Sequence, residues 1–226
     1  MRISLVVLAT VLVASSMMGA DLNMFPDTVM TAKSSQGISV SGGMGVSYVS
    51  APDIVDFVNA FSGERVPEFK SAIEFFGAIK FPLSPRWILK LEYAYMLGTY
   101  NVSNSGEFTF VGHLPSLIGQ YVLVGEETYN VKIGAGLGCH VGILSAKDLT
   151  LVDDYSGKGI GTKLEVEANT AISESFFAYL GGDIRWDFIG QLTNDAGNAP
   201  PSPRTATVPT LHFFSVGAKL GFTFYF

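Results

Sequence analysis

The sequence predicts an all-β protein, an eight-stranded antiparallel up-and-down transmembrane β-barrel preceded by a cleaved signal peptide. Apolar residues make up 48% of the chain, yet beyond residue 20 they form no run of about 18 that could cross a membrane as a helix. They alternate instead with small or polar residues over segments of about 10–14 residues, the pattern of a strand with one apolar face. A tilted strand of about 9–11 residues crosses a bilayer, and a sheet in lipid must close to satisfy its backbone groups.

Residues 1–20 have the layout of a secretory signal peptide. Arg2 supplies the positive charge, an apolar run follows, and small residues end the segment at Ala20. The apolar run is shorter than the roughly 20 residues of a membrane-spanning helix, and no basic stop follows it. We therefore expect cleavage after Ala20, a periplasmic N-terminal segment at residues 21–36 and the barrel at residues 37–226.

Composition argues against a nucleic-acid-binding protein and against a disulfide-stabilised one. Removing Arg2 takes one positive charge from a formal net charge of −6 and leaves −7, an acidic balance that argues against a nucleic-acid partner. Cys139 is the single cysteine, so the chain cannot form an internal disulfide.

Seven segments alternate clearly and are predicted as strands. Their apolar faces begin at Ile38, Ile73, Trp87, Tyr129, Leu164, Ala178 and His212. The opposite faces are rich in glycine and serine, which suits a crowded, narrow lumen. Aromatic residues cluster at strand ends, as the girdles of a membrane barrel do. They are Trp87, Tyr129, Phe188, Phe224 and Phe226. These patterns favour a membrane barrel over a soluble lipocalin-like barrel, whose apolar faces would point inward.

The eighth strand is expected within GEFTFVGHLPSLIGQYVLV, where the alternation is less regular. Phe108 and Phe110 share one face, whereas Leu117 and Leu123 fall on the other. Pro115 cannot donate a hydrogen bond to a ladder, so we expect a bulge or register break near it.

The connections alternate in length, as in outer-membrane barrels, whose periplasmic turns are short and whose outer loops are longer. The short ones contain PLSPR, GEET and SES, and the long ones are expected at residues 50–69, 101–107, 142–160 and 190–209. Both ends of the predicted barrel then lie on the periplasmic side.

The first long loop is predicted to hold a short amphipathic helix. Ile54, Val58 and Phe61 follow the i, i+4, i+7 spacing, and Pro52 and Gly63 stand where they favour a helix start and end. We expect the helix to cap the barrel mouth by packing its apolar stripe. The alternative is that this stripe grips an apolar ligand or the membrane surface.

The polar faces of the predicted strands carry charges of both signs in equal number. The positive residues are Lys80, Lys90, Lys132, Lys163, Arg185 and Lys219, and the negative ones are Glu74, Glu92, Glu165, Glu167, Asp183 and Asp187. A wide ion-selective pore would favour rings of one sign. Balanced charge in a small lumen predicts paired side chains that fill the interior, so we expect a largely plugged barrel with, at most, a narrow conductance.

The sequence shows no nucleophile–base pair, so the protein is not expected to be an enzyme. His113 and Ser116 fall on opposite faces of one strand, as do His212 and Ser215. His140 faces the predicted lumen without a second histidine at a metal-ligand spacing, so no cofactor or metal is expected. Strand pairing could still bring a distant serine and histidine within hydrogen-bond reach, which leaves an enzyme as an open alternative.

The signal peptide, the eight alternating segments and the ending GFTFYF resemble the small bacterial outer-membrane barrels of the OmpA-like/OmpX-like superfamily. The resemblance is architectural and covers nearly all of residues 21–226. It implies that Phe226, with Phe222 and Phe224, forms the signal read by the barrel-assembly machinery. It also implies export through the periplasm to the outer membrane of a Gram-negative bacterium, where we expect a monomer surrounded by outer-membrane lipids.

Three functions fit these observations. The first is a non-enzymatic barrel, structural or surface-interacting, that binds an extracellular ligand through its loops. The second is a narrow channel or carrier of small apolar ligands similar to the OmpW group, which would use the first-loop helix and a lateral gap near Pro115. The third is a lipid-modifying barrel enzyme. We favour the first.

Overall fold

The computed structural model describes residues 37–62, 69–102, 106–148, 152–200 and 210–226. The predicted signal peptide and the segment at residues 21–36 lie outside the described residues. The elements within the described ranges are β1 (Ser39–Ser50), α1 (Pro52–Ser62), β2 (Phe69–Pro82), β3 (Trp87–Val102), β4 (Gly106–Gly125), β5 (Tyr129–Asp148), β6 (Val152–Ala171), β7 (Phe176–Gln191) and β8 (Thr210–Tyr225).

The eight strands form one closed antiparallel barrel in which neighbours in sequence are neighbours in the sheet. Strand β1 also pairs with β8 along its whole length, from Ser39 opposite Tyr225 to Ser50 opposite Phe214. The predicted fold class is confirmed, including the up-and-down topology and the short helix after β1. Closure pairs both sides of every strand, which an open sheet cannot do.

The two ends of the barrel differ in their connections. Helix α1 lies at one end, called here the helix end, with the β3–β4, β5–β6 and β7–β8 connections. The other is called the turn end, and its connections span residues 83–86, 126–128 and 172–175. Chain direction therefore places the start of β1 and the end of β8 at the turn end.

The strands extend further toward the helix end than the sequence predicted. Strands β4, β5 and β6 each contain 20 residues, and the β5–β6 ladder continues to Lys147 opposite Val152. The prediction of a long loop at residues 142–160 is therefore wrong. The outward residues of this part of β6 are polar, Asp154 and Ser156 among them, so the strand lacks the apolar outward face on which the prediction depended.

The other predicted loops differ in outcome. Residues 50–69 hold α1, as expected, whereas residues 101–102 and 106–107 belong to strands β3 and β4. Of the last loop, residues 192–200 are described and contain a turn in which Asn194 Oδ1 accepts hydrogen bonds from the backbone N–H groups of Ala196 and Asn198.

The register break expected near Pro115 is displaced. The β4–β5 register shifts between Val122 and Val124, close to the turn end. At Pro115 the β4–β5 pairing is interrupted without a shift, while Pro115 remains paired with Tyr93 on β3. A proline lacks one N–H group, and that loss affects the ladder on one side only.

Two layers of side chains fill the lumen. Toward the helix end lies a set of buried apolar side chains, called here the apolar layer. It contains Val49, Ile54, Val55, Phe57, Val58, Met96, Phe108, Phe110, Leu114, Leu144, Tyr155, Ile189, Leu192, Leu211 and Phe213. Toward the turn end lie the charged side chains. The irregular alternation of β4 follows from this arrangement, since Phe108 and Phe110 are apolar residues of its inward face and Leu117 of its outward face.

The outward face of the barrel is an apolar belt. Large apolar side chains are exposed on every strand, as illustrated by Met44, Phe75, Tyr93, Leu137 and Leu220. No helix among the described residues is long and apolar enough to cross a membrane.

Candidate functional site

The charged residues predicted to face the lumen are all buried inside the barrel. They are Glu74, Lys80, Lys90, Glu92, Lys132, Lys163, Glu165, Glu167, Asp183, Arg185, Asp187 and Lys219, and none exposes more than 5% of its surface. Every buried Asp, Glu, Lys and Arg residue among the described parts of the chain belongs to this set. Alternation places them there, because inward positions recur every second residue along each strand.

Lys219 is the centre of one half of this charged set. Its ammonium lies 2.5 Å from Glu74 Oε1, 3.1 Å from Glu92 Oε1 and 3.0 Å from Asp183 Oδ2. Oxygen atoms of these three carboxylates are close enough together to hold a metal ion. The ammonium contacts all three, so it already supplies the positive charge that such a cluster requires.

Glu167 is the centre of the other half. Its carboxylate accepts hydrogen bonds from Lys80 and from Lys132, the latter at 3.3 Å. Two neutral amides complete the shell, with Gln120 Nε2 at 2.9 Å and Asn169 Nδ2 at 2.8 Å. These amides satisfy oxygen lone pairs that the ammonium groups leave free, as a buried carboxylate requires.

Lys90 and Lys163 join the two halves. Lys90 Nζ lies 2.8 Å from Glu92 and 3.0 Å from Glu165, and Lys163 Nζ lies 2.5 Å from Glu92 and 2.8 Å from Glu165. Arg185 adds a contact of 3.1 Å to Glu74. Eleven of the twelve charges therefore form one connected network across the lumen, called here the ion network.

Asp187 is the twelfth charge and has a different partner. Its Oδ1 contacts Nδ1 of His140, which is the single ion pair of Asp187 among the described residues. On the other side of the imidazole, Nε2 lies 3.1 Å from Ser116 Oγ. All three side chains are buried.

The sequence reasoning missed this serine–histidine contact, although it placed His140 in the lumen. It compared histidines only with serines on the same strand. Ser116 lies on β4 and His140 on β5, and Ser116 pairs with Gly138, two residues from His140. The signal was available: both residues are inward, and the short GEET turn sets the approximate register of the hairpin.

Helix α1 packs its apolar stripe into the barrel mouth. Ile54 and Val58 are buried as members of the apolar layer, and so is Phe57, whose ring lies edge-on to Phe108 at 6.1 Å. Of Phe61 the structure describes only the backbone. The start of the helix is tied to β8, because Thr210 Oγ1 donates a hydrogen bond to Asp53. This is the arrangement of a cap.

The aromatic residues at the end of β8 lie at the turn end, on the outer surface of the barrel. Phe222, Phe224 and Phe226 point outward and are exposed, and the rings of Phe224 and Phe226 are in edge contact at 5.1 Å. The N–H group of Phe226 donates a hydrogen bond to the carbonyl of Ile38 at the start of β1. Their role as an assembly signal stays a prediction.

With this geometry in place, the chain has the fold of the small eight-stranded outer-membrane barrels. The Neisserial surface protein A (NspA) is 12% identical, with a TM-score of 0.55 over 84% of this chain and 97% of that one. Ail, the attachment invasion locus protein of Yersinia pestis, is 10% identical, with a TM-score of 0.48 over 84% and 99%. The outer membrane protein OprG of Pseudomonas aeruginosa is 11% identical, with a TM-score of 0.44 over 87% and 99%.

No protein-family model and no curated protein matches the chain. At an identity of 12%, the similarity to NspA shows the fold, and a fold of this kind can host many activities. The function must therefore be argued from the lumen and the surface of this chain.

Proposed function

We propose that the protein is a monomeric integral barrel of the Gram-negative outer membrane that is closed to solutes and acts through its helix-end surface. In this proposal the apolar belt contacts the acyl chains of outer-membrane lipids, and the helix end faces outward from the cell. The three connections and the cap at that end would then meet an extracellular ligand or surface. The turn end would face the periplasm, because all of its connections are short and the two long ones, residues 51–68 and 192–209, lie at the helix end.

The observation that carries the proposal is the double filling of the lumen. A solute that entered from the helix end would meet α1 and the apolar layer first, where nearly every side chain is hydrocarbon and few polar groups could replace its hydration shell. Beyond that layer it would meet the ion network, whose charges are paired across the lumen at N···O distances of no more than 3.6 Å. Eight strands leave an interior that side chains can fill completely.

The carrier alternative is less favoured by the same observations. A lateral exit between β4 and β5 would need the strands to part near Pro115. The strand register is the same on both sides of that interruption, and Leu114 fills the lumen behind it as a member of the apolar layer. The observations therefore favour closure over passage of an apolar ligand.

Planar-bilayer recording of the refolded chain tests the proposal, with a general porin as the positive control. We expect no steady conductance. A variant with Phe110→Ala and Phe213→Ala should also remain closed, since it thins the apolar layer and leaves the ion network intact. Steady openings of the unmodified protein would contradict a closed barrel. Recovery of the mature protein as a soluble periplasmic species on cell fractionation would contradict the location.

A further inference from the structure

Ser116, His140 and Asp187 meet at the boundary between the apolar layer and the ion network. We propose that they form an acyl-transfer centre in which Ser116 is the nucleophile, His140 the general base and Asp187 the group that orients and stabilises the imidazole. The substrate class is a carboxylic ester with an apolar acyl chain. This activity goes beyond the proposed function, because a closed barrel that acts through its surface makes no use of it.

The atoms that meet are those that such a centre requires. Ser116 Oγ lies 3.1 Å from His140 Nε2, and His140 Nδ1 contacts Asp187 Oδ1. When Nδ1 carries the proton and donates it to the carboxylate, Nε2 has a free lone pair that can accept the hydroxyl proton of Ser116. The serine–Nε2 and Nδ1–carboxylate order is the one that activates serine in hydrolases of unrelated folds.

The barrel wall is shaped around the imidazole. A Cβ atom at Gly138 would lie 2.2 Å from His140 Nε2, and one at Gly161 would lie 2.1 Å from His140 Nδ1. Gly161 is the more specific of the two. A Cβ atom at Gly138 would also lie 2.2 Å from the carbonyl oxygen of Pro115, whereas one at Gly161 would lie closest to His140 and to Asp187 Oδ1, the latter at 2.5 Å. The glycine positions therefore give the ring the room that lets both of its nitrogens reach their partners.

Asp187 also differs from the other lumen charges in its close contacts. The other eleven lumen charges share one another's contacts, whereas Asp187 pairs with His140 alone among the described residues. Its second oxygen, Oδ2, is buried without a hydrogen-bond partner in the described structure. Among the described residues, the hydrogen bond of this carboxylate therefore goes to the imidazole.

The surroundings of Ser116 indicate the substrate class. Two of the strands that carry the centre continue toward the helix end with aliphatic inward side chains, Leu114 on β4 and Ile189 on β7. On β5 the corresponding residue is Gly142, where a Cβ would lie 2.2 Å from a methyl group of Leu211. An acyl chain that reached Ser116 from the helix end would therefore lie against hydrocarbon, which favours apolar chains over polar ones.

Access is the step that limits the reaction. Ser116 exposes 3% of its surface, beneath the apolar layer and α1. Displacement of the helix would open the apolar layer, and the acyl chain would then take the place of the helix side chains. The rate should consequently rise in a variant that weakens the packing of α1, a behaviour that a purely structural hydrogen bond would not produce.

The reaction balances with water as the second substrate. Ser116 Oγ forms a bond to the ester carbonyl carbon while its proton moves to His140 Nε2. The ester C–O bond breaks, and the alcohol leaves with that proton. Water then attacks the acyl-serine with His140 again accepting a proton, which releases the carboxylic acid and returns the proton to Ser116 Oγ.

The test uses the refolded full-length barrel, an alkyl fluorophosphonate as covalent probe and the p-nitrophenyl ester of octanoic acid as substrate. We expect one adduct on Ser116 by intact mass and peptide mapping, no adduct at that position in Ser116→Ala, and labelling about 100-fold slower in His140→Gln, the usual size of a general-base effect. Gly161→Ala should lose labelling as His140→Gln does, and Val58→Ser should gain it. Ser215→Ala is the matched control, because Ser215 is an equally buried lumen serine, and it should leave labelling unchanged.

Two results would overturn the proposal. One is the absence of an adduct on Ser116 in both the unmodified barrel and folded Val58→Ser. The other is labelling of Ser116 that is as fast in folded His140→Gln as in the unmodified protein. Folding of each variant is read independently from the heat-dependent gel mobility of the barrel, so that a variant that fails to fold is not scored.

Discussion

Lys219 Nζ lies 2.5 Å from Glu74 Oε1 in the interior of the barrel, where neither side chain is accessible to water. The same ammonium contacts Glu92 and Asp183, so one positive charge stabilises three negative ones. A buried ion pair need not add net stability, but removing one partner leaves the other as an uncompensated buried charge. Lys219 is therefore a position where a single substitution should be strongly destabilising.

Replacing Lys219 by Met should lower the free energy of unfolding by about 3–5 kcal/mol, the usual cost of breaking a buried charge pair. Methionine fills a similar volume, so the loss is electrostatic. Urea unfolding in lipid vesicles, followed by tryptophan fluorescence, measures it. Lys158→Met is the matched control, because Lys158 is exposed on the outside of β6. A loss of stability at Lys219 no larger than at Lys158 would contradict the role of Lys219 as the centre of its half of the ion network.

Adding Glu74→Gln to Lys219→Met should recover part of that loss. The second substitution removes one of the carboxylates that the first leaves without its ammonium, although Glu74 keeps Arg185 as a partner at 3.1 Å. Groups that share a network usually couple by about 0.5–3 kcal/mol in a double-mutant cycle. The four-protein cycle, measured by the same unfolding assay, gives this coupling. Strict additivity would mean that the two side chains do not interact as the distance indicates.

Much of the barrel could be predicted from the sequence because one period controls it. Wherever one face of a strand meets lipid and the other the lumen, alternation assigns every side chain to a face. That rule places charged residues such as Lys90 and Glu165 on inward faces, and both side chains are buried in the structure. Alternation failed in two places: in β6 near Ser156, where the outward face is polar, and in β4 near Phe108, where the inward face is apolar.

The serine–histidine contact could not be predicted by the same reasoning. Alternation states which face a residue occupies but not its height along the barrel, and height depends on register between strands. Ser116 and His140 meet because of the β4–β5 register. Asp187 lies on β7, which is separated from β5 by β6. The space for the ring depends on Gly138 and Gly161, and their nearness to the imidazole also follows from the register between strands.

Phe226→Ala should reduce the amount of folded barrel in the outer membrane several-fold. The resemblance to outer-membrane barrels implies that this residue is read by the assembly machinery, and the ring is exposed, so its removal costs little packing energy. The folded fraction in cells, measured by heat-dependent gel mobility, tests this. Leu83→Ala is the control, since Leu83 is an exposed apolar residue at the turn end. Equal folded fractions in the two variants would remove the assembly role.

Ile54→Ala should loosen the cap without unfolding the barrel. Ile54 exposes 1% of its surface, and its truncation should cost about 2–5 kcal/mol of packing. Because α1 contacts the strands mainly through such side chains, the loss should appear as faster hydrogen exchange of the α1 amides, while the ladder amides of β1 and β2 keep their protection. Asp56→Ala, an exposed position on the same helix, should leave the exchange of α1 nearly unchanged. If the two variants exchanged alike, the apolar stripe would not be what holds the cap in the barrel mouth.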